Sequence, residues 1–132
     1  MRNLNRTLLA LGLVIGALLL AVPAAHADRV GKRIEAKIKS AMEEYDMMEF
    51  EAAKSQLLEA ISMGEKGDSR GDELANAYLN LGVVYFSGLG EEDSASEAFG
   101  KALAINAEVE IDVGYSTPEM AALLNSAKGQ GR

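Results

Sequence analysis

Apolar side chains recur every three or four residues through most of the chain, and that spacing predicts helices. Ile34, Ile38, Ala41 and Tyr45 form one stripe on a helix over residues 30–47, led by a basic, solvated stretch from Arg29 to Lys39 whose first turns are expected to fray. Phe50, Ala53, Leu57, Ala60 and Ile61 repeat the stripe over 49–63, with Gly64 as a natural stop. The next eight residues, 64–71, hold three glycines and no apolar side chain, so they read as a loop. Asp72 is placed to cap a third helix running to about Phe86, with Leu74, Tyr78, Leu81 and Tyr85 inward and Gly88-Leu-Gly90 ending it. Ser94 and Glu97 fit a capping box for a fourth helix to about Ile105, burying Ala95, Ala98, Phe99, Ala102 and Leu103. Ser116-Thr-Pro118-Glu119 opens a short fifth helix that ends near Lys128, leaving a disordered tail over 129–132.

Between the fourth and fifth helices the period drops to two. Glu108, Glu110 and Asp112 alternate with Val109, Ile111 and Val113, which predicts a short edge strand or an extended segment lying on the helices.

The first 27 residues follow another rule. Arg2 and Arg6 precede an uncharged apolar run from Leu8 to Val22, and Ala25-His26-Ala27 supplies a small-x-small cleavage pattern. The run is shorter than the roughly 20 residues that span a bilayer, so residues 1–27 read as a cleavable signal. The exported protein then begins at Asp28, with no stable membrane insertion after cleavage. The periplasm of a Gram-negative-type bacterium, or the extracellular space, is the expected destination.

Composition narrows the chemistry. The chain has 13 Lys and Arg against 20 Asp and Glu, a net charge of −7 that becomes −9 once Arg2 and Arg6 leave with the signal. Such a chain repels phosphate backbones, so nucleic acid is not an expected partner. Cysteine is absent and the one histidine, His26, departs with the signal. The exported domain therefore lacks the commonest general base and the commonest metal ligands, and neither enzymatic activity nor a cofactor is expected. The acidic runs over 43–51 and 91–93 lack the alternating ligand spacing of a calcium loop, so no metal is expected either. Arg70-Gly71-Asp72 matches an integrin tripeptide, a chance-level signal. The methionines suit core and turn packing, with Met47-Met48 the pair expected to be exposed.

Tyr78-x-x-Leu81-Gly82-x-x-Tyr85, followed by Ala95-x-x-x-Phe99-x-x-Ala102, resembles the tetratricopeptide repeat, in which small residues on one helix admit bulky residues from its partner. Ala53-x-x-x-Leu57-x-x-Ala60 resembles the second half of an earlier, degenerate repeat, with Ile38-x-x-Ala41-Met42-x-x-Tyr45 loosely matching its first half. Ala107 stands where the family usually has proline. The resemblance implies an all-α fold over 28–128: two antiparallel helix pairs closed by a C-terminal capping helix.

It also implies a function. The first helix of each pair would line a concave groove, exposing Asn76, Leu79, Asn80, Val83 and Phe86 from the better repeat and Lys39, Ser40 and Glu43 from the weaker one. Asn80 occupies a position where the family often bonds a ligand's backbone. The cations that grip a free carboxylate terminus are missing. The expectation is an exported, non-enzymatic adaptor for a segment of a protein partner. The alternative is a self-associating subunit whose short core is completed by a second copy.

Overall fold

A computed structural model describes residues 22–67 and 71–131. Over these residues the chain is all-α, and no strand occurs among them. The helices are α1 (Val22–Asp46), α2 (Phe50–Lys66), α3 (Asp72–Val83, continued by a π-helical turn Val84–Leu89), α4 (Glu92–Ile105) and α5 (Pro118–Gln130). Pairs α1/α2 and α3/α4 are antiparallel hairpins, α3 also lies against α1 and α2, and α5 covers α4. Most of the predicted signal lies outside the described residues. Ala25 and Ala27, its cleavage residues, sit in the first turns of α1.

Helix α1 is longer than its stripe predicts. Val30 is buried against Gly67 rather than frayed, and the basic surface is partly offset by an i,i+4 pair between Lys32 and Asp28 at 3.5 Å. Its C-terminus is a Schellman turn: Glu49 N–H donates to Glu44 O and Met48 N–H to Tyr45 O, both at 2.9 Å. Met48 therefore takes the left-handed conformation, φ 65°, and Met47 and Met48 are both exposed, as the sequence suggests.

Glycines that the sequence reads as stops act instead as contacts. Gly64 is inside α2 because Leu74 and Ile34 press on it; an added Cβ would lie 2.9 Å from Leu74 Cδ1. Gly82 is the tightest approach. A Cβ there would stand 2.5 Å from Phe99 Cδ1, so the α3/α4 crossing requires glycine opposite this ring. The socket predicted at Gly82 exists, and Phe99 fills it, with Ala95 and Ala102 fully buried in the same cluster. Gly88 faces the Phe50 ring at a would-be Cβ distance of 2.6 Å, which sits within the π-helical turn. Gly90, at φ 69°, then closes the helix as predicted, its neighbour Glu91 donating to Tyr85 O at 2.8 Å.

Two predicted caps are displaced. Gly71, not Asp72, is the N-cap of α3, and Asp72 is drawn instead to Asn106. Helix α4 starts at Glu92, so Ser94 lies in its first turn and bonds the Glu91 carboxylate at 3.1 Å. The fifth start is as predicted: Thr117 Oγ1 accepts from Met120 N–H at 3.2 Å, with Pro118 in the first turn. Helix α5 continues two residues past Lys128, to Gln130.

Helix α3 is buried on two faces. Leu74, Ala77, Leu81 and Val84 join a core with α1 and α2, while Ala75, Leu79 and Val83 join a second core with Phe99, Val109, Met120 and Leu124. A single stripe through Tyr78 and Tyr85 understates this. Both tyrosines are only half-buried, at the edge of the first core.

Candidate functional site

Residues 106–117 connect α4 to α5 by a long route. Asn106 begins it, donating from Nδ2 to Asp72 Oδ1 and accepting from Glu108 N–H, each at 2.8 Å. From Val109 to Asp112 the chain runs without helix or turn. Val109 is buried in the second core, Ile111 is half-buried, and Val113 is 92% exposed. The alternation therefore holds for two of its three apolar residues. It breaks at Val113 because the backbone turns there: Asp112 O accepts from Tyr115 and Ser116 N–H, and Asp112 Oδ1 from Gly114 N–H. Tyr115 ends the segment edge-on to Tyr45, with ring centroids 5.5 Å apart, and its hydroxyl donates to Asp46 Oδ2 at 3.3 Å. Burial, followed by the Asp46 charge, holds the Tyr115 phenol above its ordinary pKa.

This strap is thus tied to the start of α3 and to the end of α1. The two helices run side by side in the same direction, with Gly31 opposite Glu73 and Ile38 and Met42 beside Leu79 and Val83. Strap and helices enclose a cleft of about 360 Å³ lined by Ile38, Met42, Asn76, Leu79, Asn80, Val83, Glu110, Ile111, Asp112 and Tyr115. Two of these are carboxylates and none is a cation, so the cleft is an acidic-rimmed slot over an apolar floor.

The structure sorts the expected groove residues. Asn76, Leu79, Asn80 and Val83 all line the cleft. Asn76 is exposed, and half-buried Asn80 donates from Nδ2 to Asn76 O at 2.8 Å. Leu79 and Val83 are 3% and 1% exposed, so they form the floor rather than an open contact face. The cause is the strap, which places Val109 in the same core. Phe86 is half-buried against that core, outside the cleft lining. Glu43 is exposed but also outside it, and Ser40 faces α2, accepting from Gln56 Nε2 at 3.4 Å. Ile38 and Met42 take the places expected for Lys39 and Glu43, a frame shift of one residue.

The remaining predicted signature residues are structural. Tyr78, Leu81 and Tyr85 line a shallower hollow on the opposite side, between α2 and α4. There Tyr78 donates to Glu65 Oε1 at 2.6 Å, with Lys101 Nζ 5.8 Å from its ring centre. Burial and the Glu65 carboxylate push the Tyr78 phenol up to about 12. A third hollow, of about 580 Å³, lies between α4 and the end of α5. Among the described residues no group of three His, Cys, Asp or Glu side chains converges to hold a metal, and no helix is long and apolar enough to cross a membrane. The chain matches no family model, no curated protein and no solved structure.

Proposed function

We propose that the protein is an exported, non-enzymatic, tetratricopeptide-like adaptor that holds a short segment of another protein in the cleft between α1 and α3. The observation that carries this reading is the pairing of a buried apolar floor, Leu79 and Val83, with the amide-bearing rim of Asn76 and Asn80. Apolar surface supplies affinity for a partner's side chains, and amides positioned beside it supply bonds to a partner's main chain. Support for the family reading comes from the Gly82–Phe99 contact, which gives the sequence motif a packing reason, and from the side-by-side first helices of the two pairs.

A photo-crosslinking residue at Asn76, compared with one at exposed Ser55 on α2, tests the site. An adduct from the native compartment should form at position 76 alone and fall by about tenfold with Asn80→Ala, the range expected when a central contact worth 1–2 kcal/mol is lost. Equal yields at both positions, or an adduct indifferent to Asn80→Ala, would refute the site. Self-association is the second reading, favoured by exposed Met47, Met48 and Val113 at the end where Tyr115 meets Asp46. Light scattering distinguishes it, since a stable dimer doubles the mass without any partner.

A further inference from the structure

We propose that the occupant of the α1/α3 cleft is an extended cationic segment with alternating apolar side chains, lying alongside the strap and pairing with its main chain; this rests on the cleft reading above. Charge comes first. Glu110 and Asp112 line the cleft, no Lys or Arg does, and Asp46 stands at its Tyr115 end. The whole chain is also acidic, at −7, which favours the approach of a positive segment over a negative one.

Backbone chemistry gives the shape. Between the turns at 107–108 and 113–115 the strap is neither helix nor turn, and among the described residues no backbone hydrogen bond engages the N–H groups of Glu110, Ile111 or Asp112. Drawn out, such a stretch turns alternate N–H groups the same way, so Glu110 and Asp112 offer a pair to which an added strand can make main-chain bonds. The floor of Ile38, Met42, Leu79 and Val83 lines the same cleft and accepts every second side chain of such a segment, leaving the others to the carboxylate rim. A copy of the strap from a second molecule fits poorly, because its Glu108, Glu110 and Asp112 would face the same acids.

The probe is a set of three nine-residue peptides: alternating lysine and valine, the same with glutamate for lysine, and the same with serine for valine. Binding to the natively processed protein is followed by calorimetry and by amide shifts at Asn76, Asn80 and Val83. The lysine–valine peptide should shift all three amides and bind at least about tenfold more tightly than either counterpart. The double change Glu110→Gln with Asp112→Asn keeps the oxygen that accepts from Gly114 N–H, so the strap stays seated. It should erase most of that preference. Cleft binding by the glutamate–valine peptide at equal or greater strength overturns the charge inference while leaving the cleft reading standing. Binding of the lysine–valine peptide that shifts no cleft amide refutes both, as does failure of all three peptides to bind. Preference unchanged in the double variant overturns the role of the strap.

Discussion

Replacing Gly82 with alanine sets two physical effects against each other. Helix propensity favours alanine by about 1 kcal/mol. Against it, the new Cβ would come 2.5 Å from Phe99 Cδ1 and 3.0 Å from Cζ, far inside van der Waals contact. Phe99 cannot yield easily, since it is fully buried among Leu79, Val83, Ala95, Ala102 and Met120. Overpacking of this kind costs about 1–3 kcal/mol, and an overlap of roughly 1 Å on a rigid ring belongs in the upper part of that range. The net expectation is destabilisation by about 1–2 kcal/mol, a fall of about 5–15 °C in melting temperature for a domain near 100 residues. Gly100 provides the control: it is equally inside a helix, exposed, and has nothing within 4 Å of an added Cβ. Gly100→Ala should therefore gain about 0.5–1 kcal/mol. Thermal melts followed by circular dichroism compare the two directly. Adding Phe99→Leu to Gly82→Ala should recover part of the loss, giving a coupling energy of at least about 0.5 kcal/mol. Parallel stabilisation by both alanines would refute the socket and, with it, the packing reason for the motif.

The strap is tested by one change made four residues apart. Val109→Asp buries an unpaired charge and should cost about 3 kcal/mol or more, whereas Val113→Asp, in solvent, should stay within about 0.5 kcal/mol; urea melts showing equal losses would mean the strap is not seated as described. Met48→Gly should raise stability by about 0.5–1 kcal/mol by relieving the left-handed backbone at φ 65°, a gain absent if the turn adopts another form in solution. Ultraviolet titration should find one of the four tyrosines ionising at about 12, and Tyr78→Phe should remove it. Because the neutral phenol is favoured in the folded state, the contribution of Tyr78 to stability is complete below pH 10 and is lost as pH rises from about 10 through about 12. Burial is the largest single cause, with the Glu65 hydrogen bond and charge adding to it, so Glu65→Gln should lower the phenol's pKa yet leave it above the ordinary value; its complete return to that value would reverse the assignment.

Sequence periodicity marked the first four helices, their order and most of their buried stripes, and the Ser116-Thr-Pro118-Glu119 signature marked the fifth. The reason is local: a helix must bury its apolar stripe, and Ile34, Leu57, Leu81 and Phe99 mark those stripes whatever covers them. The same holds for the Thr117-Pro118 start, where cap and proline act within one turn. Even the small residue at Gly82 was legible, because a glycine within a helix needs a compensating contact.

What periodicity lacks is the identity of the covering surface. It could not separate Gly64 as a stop from Gly64 as the seat of Leu74, nor the third helix's second apolar face, Leu79 and Val83, from an open groove. Both depend on residues distant in sequence. The one-residue frame shift on α1 has the same origin, for Ile38 and Met42 are defined as cleft residues only by α3 beside them. The strap shows the limit most clearly: its alternation announced an extended segment with one apolar face, but tertiary structure alone put Val109 over α3, turned the chain before Val113, and closed it with Tyr115 on Asp46, 69 residues away.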